Sequence, residues 1–426
     1  MHIPFLRTLL VALAAGLLSA CGGGTSNGPE FKYEAAFEAD SNASRLLLYR
    51  YVVEGTSRRV ELIHDAVLPP STVQPPPPAP LPLHLYESVP GNAGPLGVAP
   101  WLEALSKELE IRNISKSQVP ISVAGLDAMR ALTQRNPNAA SQIYASVRSS
   151  VAAAGYATRY AASLTANAQG VFMWASVNDL FGNLAPGRTT NGVIDIGGVS
   201  AQVAYAVPAQ SQGVAVPGTP ITVRGENFRV FVVSYDGLGY SESRRQMILG
   251  GEQGSGTALN NCYPNNAARI APLAYDAGLG GVVIGAGNYV FETCSALYET
   301  LVRARAVSRT VAVPGFSGTD FVIPDNLGLT AGATLSPGTL RARLNALCEG
   351  PDAWSRVIQP NVGSSVVAQN ICANGTFLNT FLFGPNGINA ATSNVGLIRQ
   401  IESNTPRVSR GLVLLDGVLG PLAVWF

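Results

Sequence analysis

Asp195-Ile196-Gly197-Gly198-Val199-Ser200-Ala201-Gln202 sits where an apolar run gives way to small residues and then to a second apolar run. The pattern predicts a strand over Gly192 to Asp195, a tight loop over Gly197 to Ser200, and strands over Ala201 to Val207 and Phe228 to Tyr235. The chain opens on the same arrangement. Glu30 to Ala39 alternates loosely, Asp40-Ser41-Asn42-Ala43-Ser44 has loop chemistry, and Arg45 to Glu54 and Arg59 to His64 read as strands. Each half therefore offers a strand, a small-residue loop beginning near an acid, and two more strands. Two such units facing each other would surround one cleft with backbone N–H groups and hydroxyls, an arrangement able to hold a polyphosphate. Gly-Gly-x-Ser alone is common in ordinary turns, so the weight lies on the pair of loops.

The remaining sequence fits an α/β chain of two lobes, the size expected for about 400 mature residues with 47% apolar and only 13% charged side chains. Pro100 predicts a helix start, with Trp101, Leu102, Leu105 and Leu109 on one face. Gln118 to Val123 reads as a strand, and Asp127 to Gln134 and Asn138 to Ala154 as helices. Pro69 to Pro82 cannot join a sheet or helix and reads as an exposed extended insert. Gly239-Tyr240-Ser241 is expected to pack at a strand end near the cleft. The first lobe is expected over residues 29–163, completed by 395–426, and the second over 164–394.

Residues 1–20 carry a basic end, an apolar run from Thr8 to Leu18 and a small-residue cleavage site, Leu18-Ser19-Ala20-Cys21, the pattern of a lipoprotein signal peptide. Cys21 is the expected lipidation site, with a flexible linker over 21–28, and the location is a bacterial cell envelope with the chain held on a membrane by its lipid anchor. Cleavage removes Arg7 from the 28 basic residues and none of the 27 acids, so the mature chain is formally neutral. With no basic stripe, nucleic-acid polymers are excluded as partners. Cys262, Cys294, Cys348 and Cys372 remain, with no C-x-x-C spacing and only His2, His64 and His84, which argues for two disulfides rather than zinc. Of three possible connectivities, 262 with 294 and 348 with 372 closes the shortest loops. A monomer is expected.

Several stretches resemble the apyrase family, the ecto-nucleoside triphosphate diphosphohydrolases of the actin-like ATPase superfamily. The first family motif, Asp-Ala-Gly-Ser-Ser-x-Ser/Thr-Arg, looks like Glu38-Ala39-Asp40-Ser41-Asn42-Ala43-Ser44-Arg45. The second, ending Ala-Gly-Met/Leu-Arg, resembles Val123-Ala124-Gly125-Leu126, with Arg130 displaced by an insertion. The third resembles Gln169-Gly170-Val171-Phe172-Met173-Trp174-Ala175-Ser176-Val177-Asn178, and the fourth is nearly complete in Asp195 to Gln202. Asn261-Cys262-Tyr263-Pro264, with Gly287-Asn288-Tyr289 ahead of Cys294, is similar to the family's Cys-Tyr-Pro segment and its disulfide.

The resemblance implies two actin-like (ribonuclease H-like) lobes, nucleoside tri- and diphosphates as substrates, and calcium or magnesium (Ca2+ or Mg2+) bridging the phosphates. It assigns Glu38, Asp40 and Asp195 to the metal, and Ser41, Asn42, Ala43, Ser44, Arg45, Gly197, Gly198 and Val199 to the phosphates. Ser200 and Gln202 would orient the attacking water. Gln169 stands where the family has the glutamate that takes the water's proton. An amide cannot accept that proton, and general-base assistance is typically worth ~10²–10⁴-fold. The implied activity is therefore a slow nucleoside phosphohydrolase, or a pseudoenzyme kept as a nucleotide-binding or scaffold module. Asp40 stands where the family has glycine. It is a direct metal ligand, a sign of lost phosphate affinity, or the acid of a shifted register in which Asn42 takes the glycine's role.

Overall fold

The computed structural model describes residues 30–55, 57–66, 68, 80–207, 218–252, 261–267, 287–307, 319–324, 334–358, 370–388, 394–398, 405–416, 418 and 425. Cys21, the expected leader and most of the proline-rich insert lie outside them. Among the described residues no helix is long and apolar enough to cross a membrane.

The first sheet starts with three antiparallel strands, β1 (Lys32–Ala39), β2 (Ser44–Glu54) and β3 (Ser57–Asp65). Helix α1 (Ala99–Ile111) follows, then β4 (Ile121–Gly125), α2 (Asp127–Arg135), α3 (Pro137–Ala153) and β5 (Thr158–Ser163). Strands β4 and β5 add in parallel to give the order β3-β2-β1-β4-β5. Phe37, Leu46, Leu48, Ile121 and Val123 face α1 and α3, where Leu102, Leu105, Ile143 and Val147 close a core of fully buried side chains. The α1 face is the one its sequence spacing predicts. The strand expected over Gln118 to Val123 starts only at Ile121. Residues 116–118 instead make a short 3-10 turn, held by a capping box in which Ser115 N donates to the Gln118 side chain at 3.2 Å.

Helix α4 (Ala166–Leu180), with Thr165 accepting from Ala168 N at its start, leads to β6 (Gly192–Ile196), β7 (Ser200–Ala206), β8 (Thr219–Val223) and β9 (Glu226–Asp236). Beyond them come α5 (Tyr240–Glu252), α6 (Phe291–Ala304), β10 (Phe321–Pro324), β11 (Thr334–Leu335), α7 (Pro337–Cys348), α8 (Ala353–Ile358), α9 (Ile371–Phe383), β12 (Val395–Ile398) and α10 (Val408–Leu414). The second sheet has the order β11-β12-β10-β6-β7-β9-β8. Its segment β9-β7-β6-β10-β12 repeats the first sheet's β3-β2-β1-β4-β5, with three antiparallel strands followed by two parallel ones. The duplication expected from the two loops is thus a duplication of topology, and the fold is α/β with two actin-like lobes.

One expected boundary moves. Val395 to Ile398, expected in the first lobe, forms β12 in the second sheet between β10 and β11. Val395 and Leu397 point into the second lobe's core beside Phe321 and Ile323, which fixes the strand there. Among the described residues after β12, α10 returns to the first lobe and packs on β1, β3 and α4. Disulfides join Cys262 to Cys294 and Cys348 to Cys372, the pairing of shortest loops, and hold the helical layer of the second lobe.

Candidate active site

Parallel strands open their carboxyl ends toward one edge, and loops there line the usual ligand crevice. In the first lobe β1 and β4 run in parallel with Ala39 opposite Gly125, so the loop 40–43 and the start of α2 emerge side by side. In the second lobe β6 delivers Asp195 and the loop 197–199 to the same place. A side chain added at Gly198 would put its Cβ 1.9 Å from Ser41 Oγ and 3.0 Å from Asn42 Nδ2. The two loops therefore face each other across the lobe boundary at contact distance, and only glycine permits it.

Around them lies one hydrogen-bonded network. Arg130, on α2 and buried, donates from Nη1 to Gln169 Oε1 and from Nη2 to Ser200 Oγ, both at 2.8 Å. Gln169 Nε2 donates to Gln202 Oε1 at 3.1 Å and reaches Asp195 Oδ2 at 3.5 Å. Gln202 Nε2 donates to Ser200 Oγ at 2.7 Å and to Ser234 Oγ at 3.1 Å. The guanidinium fixes the Gln169 amide with oxygen toward Arg130 and nitrogen toward Asp195, because a guanidinium has no acceptor. Gln169 opens the first turns of α4, and Gly170 beside it lets the helix approach β9, where a Cβ would meet Val232 Cγ1 at 2.5 Å. Further along α4, Trp174 is core. Asn178 ties the helix to the chain before β6, accepting from Asn191 N at 2.8 Å and donating to its carbonyl at 3.0 Å.

Four carboxylates share this space. Asp195 is pushed up to about 7, first by burial and further by the charges of Asp127 and Glu38, while the hydrogen bond from Gln169 and the charge of Arg130 work against the rise. Asp40 is also raised to about 7, by burial and then by Asp127, against the Ser41 N–H it accepts at 2.6 Å. Glu38 accepts from Ser409 N at 2.8 Å and so caps the start of α10. Such mutual repulsion favours a cation. Among the described residues, however, no three His, Cys, Asp or Glu side chains are placed to ligate an ion together, so a cation would be held through water and through oxygens of its own ligand.

The other expected residues divide. Ser41 and Ser44 are buried, and Ser44 Oγ makes no hydrogen bond among the described residues, a hydroxyl left for a further partner. Asn42 Nδ2 donates to Ser241 Oγ at 3.1 Å, joining the first loop to the start of α5. Ala43 is exposed, and Arg45 pairs at the surface with Asp65 at 3.1 Å, so neither joins the network. Sequence reading gave no site role to Asp127, Ser234 or Ser241. Asp127 Oδ2 accepts from Val199 N at 2.7 Å and Ser200 N at 3.2 Å. Its place just past a strand end was the available signal, although an acid at a helix start reads first as a cap. Arg130, expected to be displaced by an insertion, enters the cleft from the first turn of α2. Beside Asp127 a cavity of about 270 Å³ is lined by Arg130, Arg135, Asp236, Glu242, Arg245 and Arg305.

The fold and the loop pair define a two-lobed α/β protein with two small-residue loops facing each other across a cleft. Residues 26–309 match the model of the GDA1/CD39 (nucleoside phosphatase) family, and the chain belongs to that family. It is 25% identical over 273 residues to ectonucleoside triphosphate diphosphohydrolase 8 of Gallus gallus, covering 58% of this chain and 51% of the relative. Over 156 residues it is 27% identical to probable apyrase 1 of Oryza sativa subsp. japonica, 34% of this chain and 31% of the relative. The matches thus span about a third to a half of these relatives. In solved structures, the nucleoside triphosphate hydrolases of Neospora caninum share the fold with a TM-score of 0.58 at 11% identity, over 98% of this chain and 97% of that one.

Proposed function

We propose that this chain hydrolyses the terminal phosphate of nucleoside tri- or diphosphates with the help of a divalent cation, calcium or magnesium. The reading rests on one observation. Gln169 of α4, Asp195 of β6, and Ser200 and Gln202 of β7 meet in a single hydrogen-bonded network beside two facing loops. Family membership gives that network its chemistry.

In this reading the backbone of Gly197 to Val199 and the hydroxyls of Ser41 and Ser44 hold phosphate oxygens. Arg130 offsets their charge, and Asp195 with Asp40 holds the cation through water. The cation, when bound, would neutralise charge that develops on the phosphate oxygens. Ser200 and Gln202 orient the attacking water. Gln169 accepts from Arg130 with its oxygen and presents N–H groups elsewhere, so it can position a water but takes no proton from it. Turnover is therefore expected to be slow.

A second reading is favoured by that same amide, which is locked into the network as a donor: a pseudoenzyme that binds nucleotides without cleaving them. Phosphate release from ATP, ADP, UTP and GDP with calcium or magnesium, for the wild type and Gln169→Glu, separates the two. A gain of ~10² or more in the variant supports an intact site lacking its base. No release from either protein, with no nucleotide binding by calorimetry, ends the hydrolase reading.

We further propose that Cys21 carries lipid and tethers the chain to a bacterial cell envelope. Cys21→Ser should shift the protein from the membrane fraction to the soluble fraction. Retention of the variant on membranes would refute the tether.

A further inference from the structure

We infer that Asp127 is a built-in occupant of the second loop's phosphate seat, a carboxylate that an incoming phosphate must displace. The inference rests on the reading that this loop binds phosphate. Two consecutive backbone N–H groups, Val199 and Ser200, converge on a single oxygen of Asp127, at 2.7 and 3.2 Å. Consecutive amides converging on one oxygen are the donor geometry of an anion nest. The other oxygen accepts from Ala128 N at 2.7 Å, so the carboxylate is held from both sides and is 2% exposed. The approach is close enough to need a glycine. A Cβ at Gly197 would fall 2.5 Å from Asp127 Oδ2.

The donor and the occupant belong to different lobes. Asp127 begins α2 on the first lobe, whereas the amides belong to the loop between β6 and β7. One turn along α2, Arg130 reaches the Ser200 hydroxyl of that loop. Helix α2 thus presents an anion to the loop's amides and a cation to its hydroxyl from the same face. Asn42 and Ser241 close a second link across the cleft through hydrogen bonds at 3.1 and 3.4 Å. A phosphate entering the nest with Asp127 still in place would meet a carboxylate at contact distance, with Asp40 and Asp195 nearby. The nest holds one anion at a time, and the Asp127 carboxylate must leave it before phosphate can take it.

The test is inorganic phosphate binding to the full chain, free of divalent metal, measured by calorimetry for wild type, Asp127→Ala and Asp127→Asn. The alanine variant should bind phosphate at least tenfold more tightly than wild type, with the asparagine variant between them. Equal or weaker binding by both variants overturns the inference. Hydrogen exchange adds a readout that does not depend on affinity. The Val199 and Ser200 amides should exchange faster in Asp127→Ala and regain protection with phosphate, and unchanged exchange would also overturn it. If the alanine variant does not fold, the isosteric asparagine variant carries both measurements. A gain in phosphate binding with no nucleotide turnover in any protein would sink the hydrolase reading alone. Turnover with no gain would sink only the occupancy of the nest.

Discussion

Asp195 and Asp40 are held as acids whose protons leave near neutrality, raised from 3.8 to about 7. Between about pH 4 and 7 the folded chain then binds more protons than the unfolded chain, so stability is lost as pH rises through that window. Metal-free protein should show a falling Tm from pH 4 to 7 by calorimetry, and Asp195→Asn should flatten the fall. Adding magnesium at pH 8 should raise the Tm of the wild type more than that of the variant, since the ion favours the ionised carboxylates. A pH-independent Tm in metal-free wild type would contradict this account. At this scale the sequence was legible where motif and geometry coincide: Asp195, Ser200 and Gln202 lie together as their spacing suggests. It was not legible at Asp127 or Ser241, because the partners that give them meaning, Val199 N and Asn42, sit 72 and 199 residues away.

Helices α4 and α10 cross at the lobe boundary with almost no space between their backbones. A Cβ on Gly411 would lie 1.9 Å from the Phe172 carbonyl oxygen, against backbone that has no rotamer by which to yield. Gly411→Ala should destabilise the chain by about 1–3 kcal/mol in denaturant titration, the usual range for overpacking, and a neutral result would mean the helices can slide. Polar contacts fix the same crossing. Arg410 donates to Asp179 Oδ2 from Nε at 2.9 Å and Nη2 at 2.6 Å, and also to Val60 O, while Arg224 takes the other Asp179 oxygen at 2.6 Å. Strands and amphipathic helices could be read from period and punctuation, as with α1. Helix α4 could not, because it is buried nearly all round and shows no stripe. Nor could β12, four residues long, whose lobe is chosen by its neighbours β10 and β11 rather than by its own composition.

Among the described residues, three cores divide the apolar side chains: one in each lobe and one along the boundary, where α4 and α10 meet both sheets. The two disulfides lie in the second lobe only, with sequence separations of 32 and 24 residues. Loop closure of that length stabilises by about 3–4 kcal/mol per bridge. Reduction should therefore lower the second lobe's resistance to proteolysis and leave the first lobe's fragments largely unchanged. Cleavage that began in the first lobe would show that the boundary core couples the two more tightly than the bridges do. The duplicated topology was legible in the sequence because each lobe repeats its own loop signature. The packing of one lobe against the other was not, since no local pattern encodes it.

The first lobe also depends on residues far from it in sequence. Glu34 on β1 is buried with Arg58 of β3 and Arg159 of β5, and Asp416, just past α10, pairs with both arginines and accepts from Tyr160 OH. Glu38 caps α10, and Tyr49 shares a hydrogen bond with Ser409 at 2.8 Å. Strands β1 to β5 by themselves set two arginines around one buried acid, and Asp416 supplies the second acid. The first sheet is therefore not a self-contained module, and a fragment ending after β5 should be less stable than the same sheet with residues 405–416 in place.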